Sequence, residues 1–211
     1  MSAFTDVVRR IADEVGSSAD ELNRLDAAAG DGDLGVTMRA ASSAVLYVLP
    51  EVEGKPVADV LRACGSAIAR AAPSTGGTLF AIALLRASAA AAQLTDETPP
   101  VSALSLIMAR AAAGIAERGK AAAGQKTMLD ALLPATETLS RCAARGDSLN
   151  QALREAAAAA DLGALATRSM RGVHGRAGWL ADRSEGHEDA GARLIAICFR
   201  AAASALDRSA P

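Results

Sequence analysis

The stretch Leu25-Asp26-Ala27-Ala28-Ala29-Gly30-Asp31-Gly32-Asp33-Leu34-Gly35 decides between two fold classes. By letters, Gly30-x-Gly32-x-x-Gly35 fits the fingerprint that opens a dinucleotide-binding α/β unit. That fingerprint needs a strand before it. Here the preceding residues are alanine-rich and helical in pattern, and no strand–helix–strand unit surrounds them. Aspartates at both intervening positions would also repel a pyrophosphate approached without metal. The stretch therefore reads as a junction between two helices. An EF-hand loop starting at Asp31 fails as well. Its sixth position is Val36, where glycine is needed, and its twelfth is Ser42, where glutamate is needed.

Composition agrees with an all-α chain. Of 211 residues, 51% are hydrophobic but only 2% aromatic, and alanine supplies about a quarter. Strands favour β-branched and aromatic residues, whereas alanine is the best helix former. The length suits one domain, residues 1–211, with a sizeable core. A net charge of −2 lacks the basic footprint of a general nucleic-acid binder. The longest apolar run, residues 79–85, is far short of the roughly 20 residues a bilayer requires, so no membrane partner is expected. Residues 1–10 form an amphipathic pattern containing Asp6 and lack the continuous apolar core of a signal peptide. Cys64, Cys142 and Cys198 lie far apart with no CxxC pair, and read as small buried hydrophobes in a reducing cytoplasm.

Outward from the junction, helical periodicity covers most of the chain. Residues 2–15 place Phe4, Val7, Val8, Ile11 and Val15 on one face. Ser17 or Ser18 can cap a second helix to about residue 28. Further helices are expected at 35–49, 55–71, 79–94, 102–117, 126–144, 149–160, 162–169 and 192–206, with a helical turn or two at 176–184. Residues 118–120 read as a glycine stop and 145–147 as a turn before a Ser148 cap. About eight main helices with short connections predict an up-and-down barrel of antiparallel neighbours. Every second connection then falls at one end, which gathers the unusual loops 30–35, 73–78, 119–125 and 171–191.

Three carboxylates, Asp26, Asp31 and Asp33, fall within that first junction. Interleaved glycines let the backbone bring them to one side. Crowded carboxylates repel unless a cation sits between them, and oxygen ligands suit Mg²⁺ or Ca²⁺ better than zinc. A solvated turn with an aspartate cap accounts for the same spacing equally well. Pro73-Ser74-Thr75-Gly76-Gly77-Thr78 precedes an apolar helix. It reads either as a cap or as a phosphate cradle at a helix N-terminus. His174 and His187 lack metal-ligand spacing. Arg171, Arg176, Arg183 and Arg193 flank them, and Trp179 reads as a packing anchor.

Four stretches together resemble the nucleotide-binding (L) subunit or domain of dihydroxyacetone kinases. They are LDAAAGDGDLG from residue 25, PSTGGTLFA from 73, RGKAAAGQKTMLDAL from 118 and GRAGWLADRSEGHEDAGA from 175. The family typically reads LDAxxGDGDxG, GxSGxLxG, RGKAxxGDKTMxDAL and GRAxYLGERSxGHxDPGA, in the same order. The resemblance implies a barrel of eight antiparallel helices with ADP or ATP and two Mg²⁺ ions held by loops at one end. It implies Asp26, Asp31 and Asp33 as metal ligands. It places Leu34, Gly35, Val36, Thr37 and Met38, then Ser74, Thr75 and Gly76, by the phosphates. Gly119, Thr127 and Met128 would shape the nucleotide pocket, Arg176 would stabilise a phosphate in catalysis, and Asp189, Ala190 and Gly191 would close the site.

Leu34, Gly76, Gln125 and Ala190 depart from the family pattern. With Gly76 where the family often has serine, Ser74 or Thr75 would supply that hydroxyl. The implied activity is phosphoryl transfer to a short ketose bound on a separate kinase subunit. Members of the family either turn over ATP or keep ADP bound, to be rephosphorylated by a phosphotransferase-system phosphocarrier, and the motifs fit both modes. A non-catalytic nucleotide-binding adaptor and a tetrose kinase are the competing readings. The oligomeric state stays open, a homodimer included.

Overall fold

The computed structural model describes residues 3–174 and 184–207. Among these there are nine α-helices, two short 3-10 segments and no strand. The helices are α1 (Ala3–Ser17), α2 (Ala19–Ala29), α3 (Leu34–Val48), α4 (Val57–Ala71), α5 (Thr75–Ala91), α6 (Pro100–Gly119), α7 (Leu129–Arg145), α8 (Leu149–Ala166) and α9 (Ala190–Asp207).

The nine helices make eight columns. No side-chain cap separates α1 from α2. Instead the Ser18 N–H donates to Glu14 O at 3.0 Å, and the Leu22 N–H donates to Ser18 O at 3.0 Å. The helical ladder therefore runs through the junction, and the Ser17/Ser18 cap expected from sequence is absent. The Ser17 hydroxyl donates back to Glu14 O at 2.9 Å, within α1. The α1–α2 column packs on α3, α3 on α4, and so on in chain order to α9, which returns to α1 and closes the ring. This is the expected up-and-down barrel. By length and composition α6 could cross a membrane, but it packs here between α5 and α7.

Alanine and glycine set how closely the columns approach. Buried Ala131, Ala135, Ala152, Ala156, Ala160 and Ala164 line the contact of α7 with α8. Pro134 lies inside α7. It has no N–H to give the Asp130 carbonyl one turn earlier. Gly163 of α8 comes directly against that carbonyl: a Cβ there would sit 2.3 Å from Asp130 O and 2.9 Å from Ala131 Cα. Gly163→Ala must push two backbones apart. The overpacking cost should exceed the roughly 1 kcal/mol gained in helix propensity, for a net loss of about 1–2 kcal/mol. Urea denaturation measures it, and an unchanged or more stable variant would contradict this packing.

Element boundaries depart from the sequence expectation in several places. Helix α5 begins at Thr75 rather than residue 79, so most of the predicted loop is its first turn. The 149–160 and 162–169 helices are one, α8, followed by a 3-10 turn over Thr167–Ser169. Helix α7 starts at Leu129, after an irregular 121–128 segment. Helix α6 ends on Gly119, and the left-handed residue that stops it is Lys120, at φ 50°. The turn at Gly146 (φ 75°) and the Ser148 cap, whose hydroxyl accepts from Gln151 N–H at 3.3 Å, stand as expected. The expected turn at 176–184, with Trp179 and Arg183, falls almost wholly outside the described residues.

Candidate functional site

Connections α2–α3, α4–α5, α6–α7 and α8–α9 alternate with the others and share one end of the barrel. Close contacts tie them together. A Cβ on Gly76 would lie 3.1 Å from Leu34 Cδ1, one on Gly119 3.6 Å from Leu79 Cδ2, and one on Gly191 3.3 Å from Met128 Cβ. Each contact joins one loop region to another.

The α2–α3 loop folds around Asp26. Its Oδ2 accepts the N–H groups of Asp33 at 2.9 Å and Leu34 at 3.2 Å. Asn23 Oδ1 accepts the Val36 N–H at 3.2 Å. Side chains of α2 thus fill orphan donors at the start of α3. Two glycines make the loop feasible. Gly32 sits at φ +76°, and a Cβ on Gly30 would lie 2.6 Å from Asp26 Oδ1. Asp26, Asp31 and Asp33 present oxygens that all lie within 4.8 Å of one another. Asp26 is partly buried, while Asp31 and Asp33 are exposed.

The residues after the loop point in different directions. Gly35 is clamped on α2, where a Cβ would lie 1.8 Å from Ala19 O. Met38 is buried in a cluster with Leu22, Leu194 and Ile197, so its side chain serves the core. Val36 is exposed, and Leu34 and Thr37 are partly buried.

At the α5 start, the Ser74 hydroxyl accepts the Gly77 N–H at 3.1 Å and caps the helix. Thr75 is exposed beside it, and Gly76 faces Leu34. Of the two candidate hydroxyls, Ser74 is engaged by its own helix and Thr75 faces outward.

The 121–128 segment is braced by Asp130, which is buried. Its Oδ1 accepts Gly124 N–H at 2.5 Å and its Oδ2 accepts Thr127 N–H at 2.7 Å. Gln125 Oε1 accepts Ala122 N–H at 2.8 Å and lies 2.5 Å from His174 Nε2. Met128 is 8% exposed.

The α8–α9 connector is held by Thr167, whose Oγ1 accepts the Asp189 N–H at 2.8 Å. Asp189 Oδ2 in turn accepts the Ala192 N–H at 3.0 Å. Burial pushes the Asp189 carboxyl up to about 6, against the opposing Ala192 hydrogen bond and the Lys126 charge. Ala190 and Gly191, expected in a loop, are instead the first residues of α9. Glu188 is buried and pairs with Arg193 and, at 2.8 Å, with Arg168. Arg193 also reaches Asp161 at 3.1 Å. Arg176 lies outside the described residues. Asn23, Lys126, Asp130 and Glu188 were not singled out from sequence, because their partners come from other columns or from across a loop.

A second cluster, Cys142, Asp147 and Glu155, has similar spacing. The Arg145 guanidinium already fills it, at 2.5 Å from Asp147, 2.7 Å from Glu155 and 3.2 Å from Cys142 Sγ. It belongs to the α7–α8 turn, at the other end of the barrel.

A closed helical barrel that carries a carboxylate trio and capped helix starts at one end is the class of molecule defined so far. The chain belongs to the DAK2 domain family, whose model matches residues 28–204. It is 31% identical to the ADP-binding subunit DhaL of the PEP-dependent dihydroxyacetone kinase of Escherichia coli, over 88% of each chain. It is 41% identical to D-erythrulose kinase of Mycolicibacterium smegmatis, over 94% of this chain but only 34% of that protein. The chain thus spans about a third of the length of that relative. The dihydroxyacetone kinase of C. freundii, solved in complex with AMP-PNP and Mg²⁺, superposes with a TM-score of 0.74 at 26% identity, covering 97% of this chain and 34% of that one.

Proposed function

We propose that this chain is the nucleotide-holding, phosphoryl-transferring part of a kinase for short ketoses. It would bind ADP or ATP at the loop end and pass phosphate to a ketose held on a separate substrate-binding subunit. The observation that carries this is the aspartate trio, with oxygens within 4.8 Å of one another, beside the helix starts of α3 and α5. Hard oxygen donors with flexible glycine flanks fit Mg²⁺. Asp26, Asp31 and Asp33 would hold the two metal ions, and Gly30 leaves space beside Asp26 Oδ1. Bound there, Mg²⁺ would neutralise phosphate oxygens and the charge that develops in transfer.

The protein's own part is positioning, since no nucleophile is needed. Asp26 fixes the loop through the Asp33 and Leu34 amides. The Thr75 hydroxyl and the first turn of α5 would donate to a phosphate, as helix N-termini do. Met128 and Gly191, in contact with each other, would form one wall of the nucleotide pocket. Arg176 would donate to a transferring phosphate. The likeness to a D-erythrulose kinase supports a four-carbon ketose as well as dihydroxyacetone as acceptor. The likeness to a PEP-dependent subunit supports a phosphocarrier as donor. Exposed Val36, Leu162, Leu165 and Val173 lie at or near the loop end and would dock the partner subunit.

Equilibrium titration with ADP tests the reading. Binding in the micromolar range or tighter is expected with Mg²⁺ and should weaken sharply when EDTA removes the metal. No binding with Mg²⁺ present would leave a helical adaptor that keeps the loops only for structure.

A further inference from the structure

We infer that Lys126 is a positioning residue whose ammonium group ties the α8–α9 connector to the α6–α7 segment. It thereby sets Asp189–Gly191 against Thr127–Met128. This deepens the nucleotide reading and rests on it. Lys126 is only 5% exposed. Its Nζ donates to Thr167 O and to His187 O, each at 2.6 Å. These carbonyls belong to the two ends of the connector. Thr167 is also the residue whose hydroxyl receives the Asp189 N–H. One ammonium therefore gathers the end of α8, the approach to α9 and its own loop.

The backbone is arranged to place it there. Lys126 adopts φ +57°, a conformation that disfavours a residue with a side chain. The flanking amides of Gly124 and Thr127 are both held by Asp130.

The charge also matters. Burial draws the Lys126 pKa down, while Asp189 and Glu185 oppose that. Asp189 faces Lys126 from the α6–α7 segment and Asp130 from α7. Of its near neighbours in sequence, Glu188 is paired with Arg168 and Arg193, and His187 gives its carbonyl to Lys126. The Ala192 hydrogen bond and the Lys126 charge both oppose the rise of the Asp189 carboxyl.

The test combines hydrogen exchange on the nucleotide-free chain with Mg-ADP titrations between pH 5 and 8. In Lys126→Met the Asp189 amide should exchange faster, and ADP affinity should fall about tenfold, because two buried carbonyls lose their donor. The pH below which affinity drops should also move upward by about one unit, because Asp189 takes its proton earlier without the ammonium. Asp189→Asn should remove that pH step, which assigns it to the Asp189 carboxyl. Should Lys126→Met fail to fold, Lys126→Gln keeps N–H donors without the charge and must show the same upward movement. Unchanged Asp189 exchange and an unmoved pH step in a folded variant would overturn the inference while the nucleotide reading stands. An unmutated chain that binds no ADP would overturn both.

Discussion

Asp31→Ala is expected to lower phosphoryl transfer by about 10³-fold or more while the helical circular dichroism spectrum stays as it was. Asp31 is the sharpest of the three aspartates for this purpose. Asp26 has a structural task, since its carboxylate holds the Asp33 and Leu34 amides; Asp26→Ala would lose loop and ligand together. Asp33 is the residue that leads into α3, and its carbonyl accepts the Thr37 N–H at 3.0 Å. Asp31 is exposed in the middle of the loop, between Gly30 and Gly32. A urea melt of the variant alongside the assay separates a loss of chemistry from a loss of fold. The assay is ketose phosphorylation by the chain mixed with the proposed substrate-binding subunit. Transfer at the normal rate in Asp31→Ala would remove the metal assignment.

The fold was legible because its cause is compositional and periodic. About a quarter of the chain is alanine, and the connections are short. Both follow from local sequence, and both point to close-packed antiparallel helices. The rejection of a dinucleotide fold at Gly30–Gly35 likewise needed only what precedes it. The misplaced boundaries have a common cause. Thr75, Gly76 and Gly77 have modest helix propensity, yet they form the first turn of α5 because Ser74 caps it and Gly77 packs on the preceding chain: a Cβ there would lie 2.0 Å from Ala72 O. The break expected at residue 161 does not form, and two residues on, Gly163 is where α8 approaches the α7 backbone. At Gly163 tertiary contact with α7 overrides propensity, whereas at Thr75 a local cap and close packing on Ala72 do so.

The site was legible to a different degree. The aspartate trio shows in sequence because its members are seven residues apart at most. Lys126, Asp130 and Glu188 were not singled out: Lys126 reaches 41 residues along the chain to Thr167 and 61 to His187. No local spacing encodes such a reach. The same distinction separates Ser74 from Thr75. Sequence offered both hydroxyls, and only the fold shows that Ser74 is spent on its own helix.

The 211 residues alone, supplied with Mg-ATP or a phosphorylated carrier and dihydroxyacetone or erythrulose, are expected to form no sugar phosphate above background. This chain matches 88% of a protein named as an ADP-binding subunit, but only 34% of a whole erythrulose kinase. What it shares with the larger protein is the part that resembles the nucleotide subunit. The loop end supports the same division. Its polar groups are acidic aspartates, capped helix starts and a buried Lys126, which suit phosphates and cations. Of the two histidines, the His174 ring is engaged with Gln125, and His187 sits in a connector whose carbonyl Lys126 holds. On the proposed reading, phosphate would leave over the rim where Val36 and Leu165 are exposed, and a partner docked there would need to bury only a modest interface, because the encounter would end once per turnover. Chromatographic assay for the sugar phosphate, with and without the purified substrate-binding subunit, decides it. Turnover that appears only on mixing supports the division of labour. Efficient turnover by the chain alone would place the ketose site inside these helices.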